Sequence, residues 1–181
     1  MKKIASTLLT EDRFWEIIEN SNKGEELKNE LSKLSEDEIF GYKYWWDYFH
    51  RKSYKQELWA VAYAVMSGCS DDGFDYFRCW LITRGKLVYM NALQDADSLC
   101  EEFALIADGD YPEREEASYV PLDVLEEKFD IDFYEYEAGG HIDYGDISLP
   151  EIAFEWSEDD EGSIRKICPK TFDKWWGNDK F

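Results

Sequence analysis

From Glu57 to Ser67 the chain passes through Leu58, Trp59, Val61, Ala62, Tyr63, Val65 and Met66 with no charged residue among them. At helical spacing these side chains fall on every face, and a helix with no polar face is stable only when protein surrounds it. The segment therefore predicts a central buried helix, stopped at Gly68, around which the rest of the chain must wrap.

The flanking sequence supplies the wrapping as further helices. Thr10 is placed to cap a helix through about Asn20 that buries Phe14, Ile17 and Ile18. Glu25 to Leu34 puts Leu27, Leu31 and Leu34 on one stripe. Ser35 and Glu38 form a capping box opening a helix to about Tyr54, with Ile39, Tyr42, Trp45, Trp46 and Phe49 on its face. Asp71 or Asp72 is expected to cap the helix carrying Phe74, Phe77, Leu81 and Ile82, ended by Gly85. Lys86 to Leu93 reads as a short helix, and Asp95 or Asp97 as the cap of Ser98 to Ala107. Pro121 sits in the first turn of a helix to Phe129. In residues 130–156, Phe133, Tyr134 and Tyr136 look strand-like, Gly139-Gly140 turn-like, and Ile152 to Trp156 an extended partner, so a small hairpin or an irregular acidic segment both fit. Ser157 is then a cap for a short helix, and Pro169 precedes a last turn with Trp175 and Trp176.

The expected fold is all-α or mainly α. It is a single multi-helix domain, with a small extended element in the C-terminal third. Its two parts are a helical core over 1–130 and an acidic C-terminal extension over 131–181 packed on that core. At 181 residues, 44% apolar and 17% aromatic, the chain has ample material for one core.

Charge is unevenly placed. Residues 1–90 hold 13 Lys/Arg against 15 Asp/Glu, whereas 91–181 hold 7 against 26, for a net of −21 overall. This balance argues against direct nucleic-acid binding and against adhesion to anionic membranes. Met1-Lys2-Lys3 starts like a signal peptide, but the apolar stretch after it is interrupted by Ser6 and Thr7 and ends at Glu11-Asp12. The longest uncharged run, Leu58 to Ser70, is too short for a membrane span. A cytoplasmic location is expected.

No motif fixes a reaction. Cys69, Cys79, Cys100 and Cys168 lack zinc or redox spacing and read as free structural thiols. His50 and His141 are the only histidines, so neither a metal site nor a cofactor is expected. Gly68 to Asp72 does not satisfy G-x-S-x-G around Ser70. Glu126-Glu127-Lys128 holds the E-x-K fragment of metal-dependent nucleases, but Leu122, Leu125 and Phe129 put it on the exposed side of a helix. Asp108-Gly109-Asp110 lacks the ligand ladder of a calcium loop.

Two acidic clusters remain. In the turn 68–82, Asp71, Asp72, Asp75 and Arg78 either serve helix ends and an i,i+3 ion pair, or form a polar pocket flanked by Trp59, Tyr76 and Trp80. Glu158, Asp159, Asp160 and Glu161 suit a helix N-terminus, yet the acids between 95 and 155 exceed what caps require.

Leu58-Trp59-Ala60-Val61-Ala62-Tyr63, Gly68-Cys69-Ser70-Asp71-Asp72-Gly73-Phe74, Tyr76-Phe77-Arg78 and Trp80-Leu81-Ile82 resemble a bacterial family catalogued as a domain of unknown function. The resemblance runs from Phe14-Trp15 through Asp95-Ala96-Asp97 and Tyr119-Val120 to Trp156, Asp159-Asp160 and Pro169-Lys170. The chain departs from the pattern at Cys79, where relatives have Gly, and at Ala96, where Pro is usual. The resemblance implies a mostly helical cytoplasmic domain and supplies no catalytic residue.

The expected role is non-catalytic protein binding, foremost an immunity-type protein that neutralises a basic toxin. Its candidate contact residues are Asp71, Asp72, Asp75, Arg78, Trp59, Trp80, Glu158, Asp159, Asp160 and Glu161. Two alternatives stand beside it. One is an enzyme or a domain binding a small ligand or cation through the Asp71/Asp72/Asp75/Arg78 pocket; the other is a regulatory adaptor or nucleic-acid mimic.

Overall fold

A computed structural model of the chain describes residues 2–146 and 148–181. The chain is mainly α-helical. The α-helices in order are α1 (Glu11–Asn20), α2 (Leu27–Leu31), α3 (Glu36–Lys52), α4 (Gln56–Met66), α5 (Asp71–Thr83), α6 (Lys86–Gln94), α7 (Val120–Phe129), α8 (Phe133–Ala138), α9 (Glu161–Ile167) and α10 (Pro169–Trp175). Among the described residues there are also three 3-10 helices, Ala5–Thr7, Ala96–Leu105 and Glu115–Ser118. Strands β1 (Lys3–Ile4) and β2 (Ile142–Asp143) form a two-residue parallel pair, with Lys3 opposite Ile142.

The all-apolar segment is the central helix. Leu58, Ala60, Val61, Ala62, Ala64 and Val65 of α4 are buried, and α5, α9, α10 and the 3-10 helix Ala96–Leu105 pack around them. Ser67 ends the helix in the left-handed conformation at φ 53°, one residue before Gly68. The aromatic residues of α1 and α3 merge into a ring cluster, in which Phe49 lies 4.6 Å from Trp15, 5.4 Å from Phe14 and 5.3 Å from Tyr89. Gly41 of α3 is where the backbone after the first 3-10 helix crosses closest. A Cβ there would meet the Leu9 nitrogen and Cβ at 2.6 Å, so only glycine fits.

Caps were partly misassigned from sequence. Thr10 caps α1 and the Ser35/Glu38 box opens α3, as expected. Ser70 caps α5 through the Gly73 N–H, leaving Asp71 and Asp72 as exposed acids in its first turn. Asp160 caps α9 in place of Ser157, because its carboxylate reaches the Gly162 and Ser163 N–H groups. Residues 96–105 coil as a 3-10 helix rather than an α-helix.

No hairpin forms between 130 and 156 among the described residues. Asp132 accepts from the Glu135 N–H and starts α8, which turns Phe133 inward beside Phe40 and Tyr144. Beyond Gly140, the chain pairs with the N-terminal strand instead of folding back on itself. Residues 131–181 thus close over the helices of 1–130, with Phe133, Ile142, Tyr144, Trp156, Ile164, Cys168 and Trp175 joining the same core. No helix among the described residues is long and apolar enough to cross a membrane.

Candidate functional site: an acid-edged aromatic face

The central helix is not wholly enclosed. Trp59 and Tyr63, one helical turn apart on α4, are half-buried, and aromatic residues from two later elements extend them into a row. Phe154 lies 5.4 Å from Trp59, Trp156 lies 5.6 Å from both Phe154 and Tyr63, and Trp176 stacks on Tyr63 at 5.9 Å and on Phe172 at 5.2 Å. The row is held at its back. The Trp59 indole donates to the Cys69 carbonyl at 3.1 Å and the Trp156 indole to the Gln56 carbonyl at 3.0 Å. Trp59 also stacks on buried Phe74 at 4.6 Å. Phe154 is 50% exposed and is the most accessible ring of the row.

Carboxylates edge this row, drawn from segments far apart in sequence. The Cys69 thiol is pushed up to about 12 by burial and then by the negative fields of Glu113, Asp71 and Glu158. Tyr63 is raised by burial and then by Glu158 and Asp159. Asp71 of the first acidic cluster and Glu158 of the second thus both bear on Cys69, together with Glu113. Among the described residues, none of Asp71, Asp72, Glu113, Glu158, Asp159 and Glu161 lies within ion-pair distance of a cation. Asp160 alone of the second cluster is committed, to its cap.

The pocket proposed from sequence at Asp71, Asp72, Asp75 and Arg78 does not assemble. Arg78 turns inward, with its side chain 3% exposed. It donates to Asp75 Oδ1 at 2.5 Å and to the His50 carbonyl at 2.9 Å, and lies 3.3 Å from His50 Nδ1. The faces of Tyr54 and Phe74 flank the guanidinium. Asp71 and Asp72 point to solvent, having neither a hydrogen bond nor an ion pair in common with it. Trp80 is buried on another side of α5, stacked on Phe103 at 5.6 Å. Of the ten residues named from sequence, Trp59, Asp71, Glu158 and Asp159 belong to the face; Asp72 and Glu161 are exposed acids in the first turns of α5 and α9. Asp75, Arg78, Asp160 and Trp80 are structural. Sequence reading missed Tyr63, Phe154, Trp156, Phe172, Trp176 and Glu113; apolar residues on a polar, non-periodic segment at 154–156 were the available signal.

His50, Asp75 and Cys79 offer ligand atoms within 4.8 Å of one another. Arg78 already supplies the positive charge at that point, and burial pushes the Cys79 thiol up, the opposite of what a thiolate ligand requires. The cluster is a buried polar tie between α3 and α5.

That tie carries a pH dependence. Burial, reinforced by the Arg78 charge, pushes the His50 ring down from 6.5 to about 4. As pH falls through 6.5, the unfolded chain binds a proton that the folded chain refuses until about 4. Stability should therefore fall across that window by on the order of 2–3 kcal/mol from this residue, and its contribution should level off below it. Urea unfolding of the wild type and His50→Gln at pH 7 and pH 5 checks this. The wild type should lose more stability on acidification, and equal losses would mean that His50 protonates freely in the folded protein.

Residues 9–127 match the model of the family described as Protein of unknown function (DUF4240), and the chain belongs to that family. The match covers α1 through most of α7, so α4, α5, Asp71 and Glu113 fall inside it and Phe154, Trp156, Glu158 and Asp159 outside. No curated protein and no solved structure matches the chain.

Proposed function

We propose that the protein is a non-catalytic binding module that docks a basic protein partner on its acid-edged aromatic face. The observation that carries this reading is the convergence of unpaired carboxylates from three separate segments around half-exposed Trp59, Tyr63 and Phe154. Aromatic rings supply contact area at low entropic cost, and interface energy concentrates in such anchors. The surrounding carboxylates lie where they would steer a cationic partner and set its register. An immunity-type role, in which the partner is a cytoplasmic toxin held inactive, is the form of this function that the small size and strong negative charge favour.

The test uses the purified protein as bait in its native host's extract, at low and at moderate salt, with Phe154→Ala and Glu158→Lys/Asp159→Lys variants beside the wild type. A basic protein retained by the wild type, weakened by salt and lost with both variants is the expected result. Its co-expressed activity should then be suppressed by the wild type alone. Retention that ignores both variants, or an absence of any partner at physiological salt, overturns the proposal.

A further inference from the structure

Away from that face, a cleft of about 710 Å³ opens between the end of α5, the α1–α2 turn and the loop 105–116. This is within the size range of small-ligand sites. Its inner wall holds Arg84, whose guanidinium lies 5.2 Å over the Trp80 ring and donates through Nη2 to the Lys23 carbonyl and Thr83 Oγ1. The remaining donors are uncommitted. Nε is buried with no partner, and among the described residues no carboxylate lies within ion-pair distance, although acids outnumber bases 41 to 20 in this chain. Burial and the neighbouring Arg114 guanidinium lower the Arg84 group to about 10, since the local counter-charge is insufficient.

The other charges in the cleft say what would complete it. Arg114 is taken by Glu25 at 2.6 Å and by Glu116 at 3.4 Å, and Glu115 accepts from the Tyr119 hydroxyl. What remains without an ion pair among the described residues is Arg84 and Lys23 from one pair of elements, and Asp110 and Glu113 from the loop. A simple anion would satisfy the first pair but meet the field of the second. A ligand with both charges satisfies all four.

We infer that this cleft binds a small zwitterion of the amino-acid or short-peptide class, with its carboxylate on Arg84 and its ammonium toward Asp110 and Glu113. Nη2 spends both of its hydrogens on Lys23 and Thr83, so the guanidinium, fixed in orientation on the indole, offers its Nη1 donors to one carboxylate oxygen as a charge-assisted hydrogen bond. This inference is independent of partner docking, since the cleft shares only Glu113 with the aromatic face.

The test is amide NMR titration of the full chain with L-amino acids and glycylglycine at millimolar concentrations, with acetate and methylammonium as separated charges. At least one zwitterion should shift the amides of Lys23, Arg84 and the 105–116 loop, more than either control. Arg84→Gln should weaken that binding roughly tenfold, as loss of a charged hydrogen-bond partner does, while Lys52→Gln leaves it unchanged. If Arg84→Gln melts out, Asp110→Asn/Glu113→Gln on the exposed loop serves in its place and should weaken binding as well. No shifts with any zwitterion, equal shifts with acetate, or binding indifferent to these variants overturns the inference.

Discussion

Arg78→Ala should lower unfolding free energy by about 3–4 kcal/mol, and Asp75→Asn by less, about 1–2 kcal/mol, since the amide oxygen still accepts from the guanidinium although its counter-charge is gone. The asymmetry follows from where each end lies. The Asp75 side chain is 48% exposed and can take water in place of the guanidinium, whereas Arg78 is almost wholly enclosed. Removing Arg78 leaves the His50 carbonyl with only the Ser53 hydroxyl as side-chain donor, strips a cation from between Tyr54 and Phe74, and opens a void between α3 and α5. Arg78→Lys should recover only part of the loss, because one ammonium cannot reach both Asp75 and His50 in the same fork geometry. Thermal melts would show the alanine variant down by roughly 10 °C at this chain length. Equal losses for Asp75→Asn and Arg78→Ala would place the energy in the ion pair and refute the assignment to the buried carbonyl and ring contacts.

Arg78 also shows which parts of the molecule were legible in sequence and why others were not. Helices with one apolar stripe, such as α1 with Phe14, Ile17 and Ile18, announce themselves, because burial of that stripe is what stabilises them. The α4 segment was readable for the same reason. Helix ends were less so: Ser70, Asp71 and Asp72 are all competent caps, and only backbone geometry selects Ser70. The strand-like aromatic residues at 133–136 misled because three rings in four residues suit a strand, yet Asp132 nucleates a helix that turns Phe133 and Tyr136 onto Phe40 and leaves Tyr134 exposed. The candidate face was legible only in halves. Its acids were visible as two clusters, but what brings Glu158 and Asp159 beside α4 is the docking of Phe154 and Trp156 on Trp59 and Tyr63, a contact with no local pattern. The partner of Arg78 followed the same rule: i,i+3 spacing gave Asp75, and nothing local could give His50.

Asp97→Ala should cost about 2–4 kcal/mol, and its first effect should be local. Sequence marked Asp97 as an alternative cap for its own helix, but Asp95 does that work, accepting from the Asp97 N–H. The buried Asp97 carboxylate instead reaches across the chain to the first turn of α10, taking the Lys170 N–H at 2.9 Å and the Thr171 N–H at 2.8 Å. α10 has no cap of its own, since Cys168 offers no side-chain hydrogen bond there. Without the carboxylate, two N–H donors at the start of a helix lose their acceptor where Thr171 is fully buried. Asp97→Asn should keep roughly half of the stability, because the amide oxygen satisfies one donor while its NH₂ faces the other. What remains to hold α10 is chiefly the Trp175 indole on the Cys100 carbonyl at 2.8 Å and ring packing. Hydrogen exchange should therefore show amides 170–176 losing protection well before those of α4, with Phe172 and Trp176 leaving the aromatic row. Stability and partner docking are coupled through this one side chain, so Asp97→Ala should weaken the proposed partner at temperatures where the core is still folded. Uniform loss of protection across α4 and α10 together would show that α10 is held by packing alone.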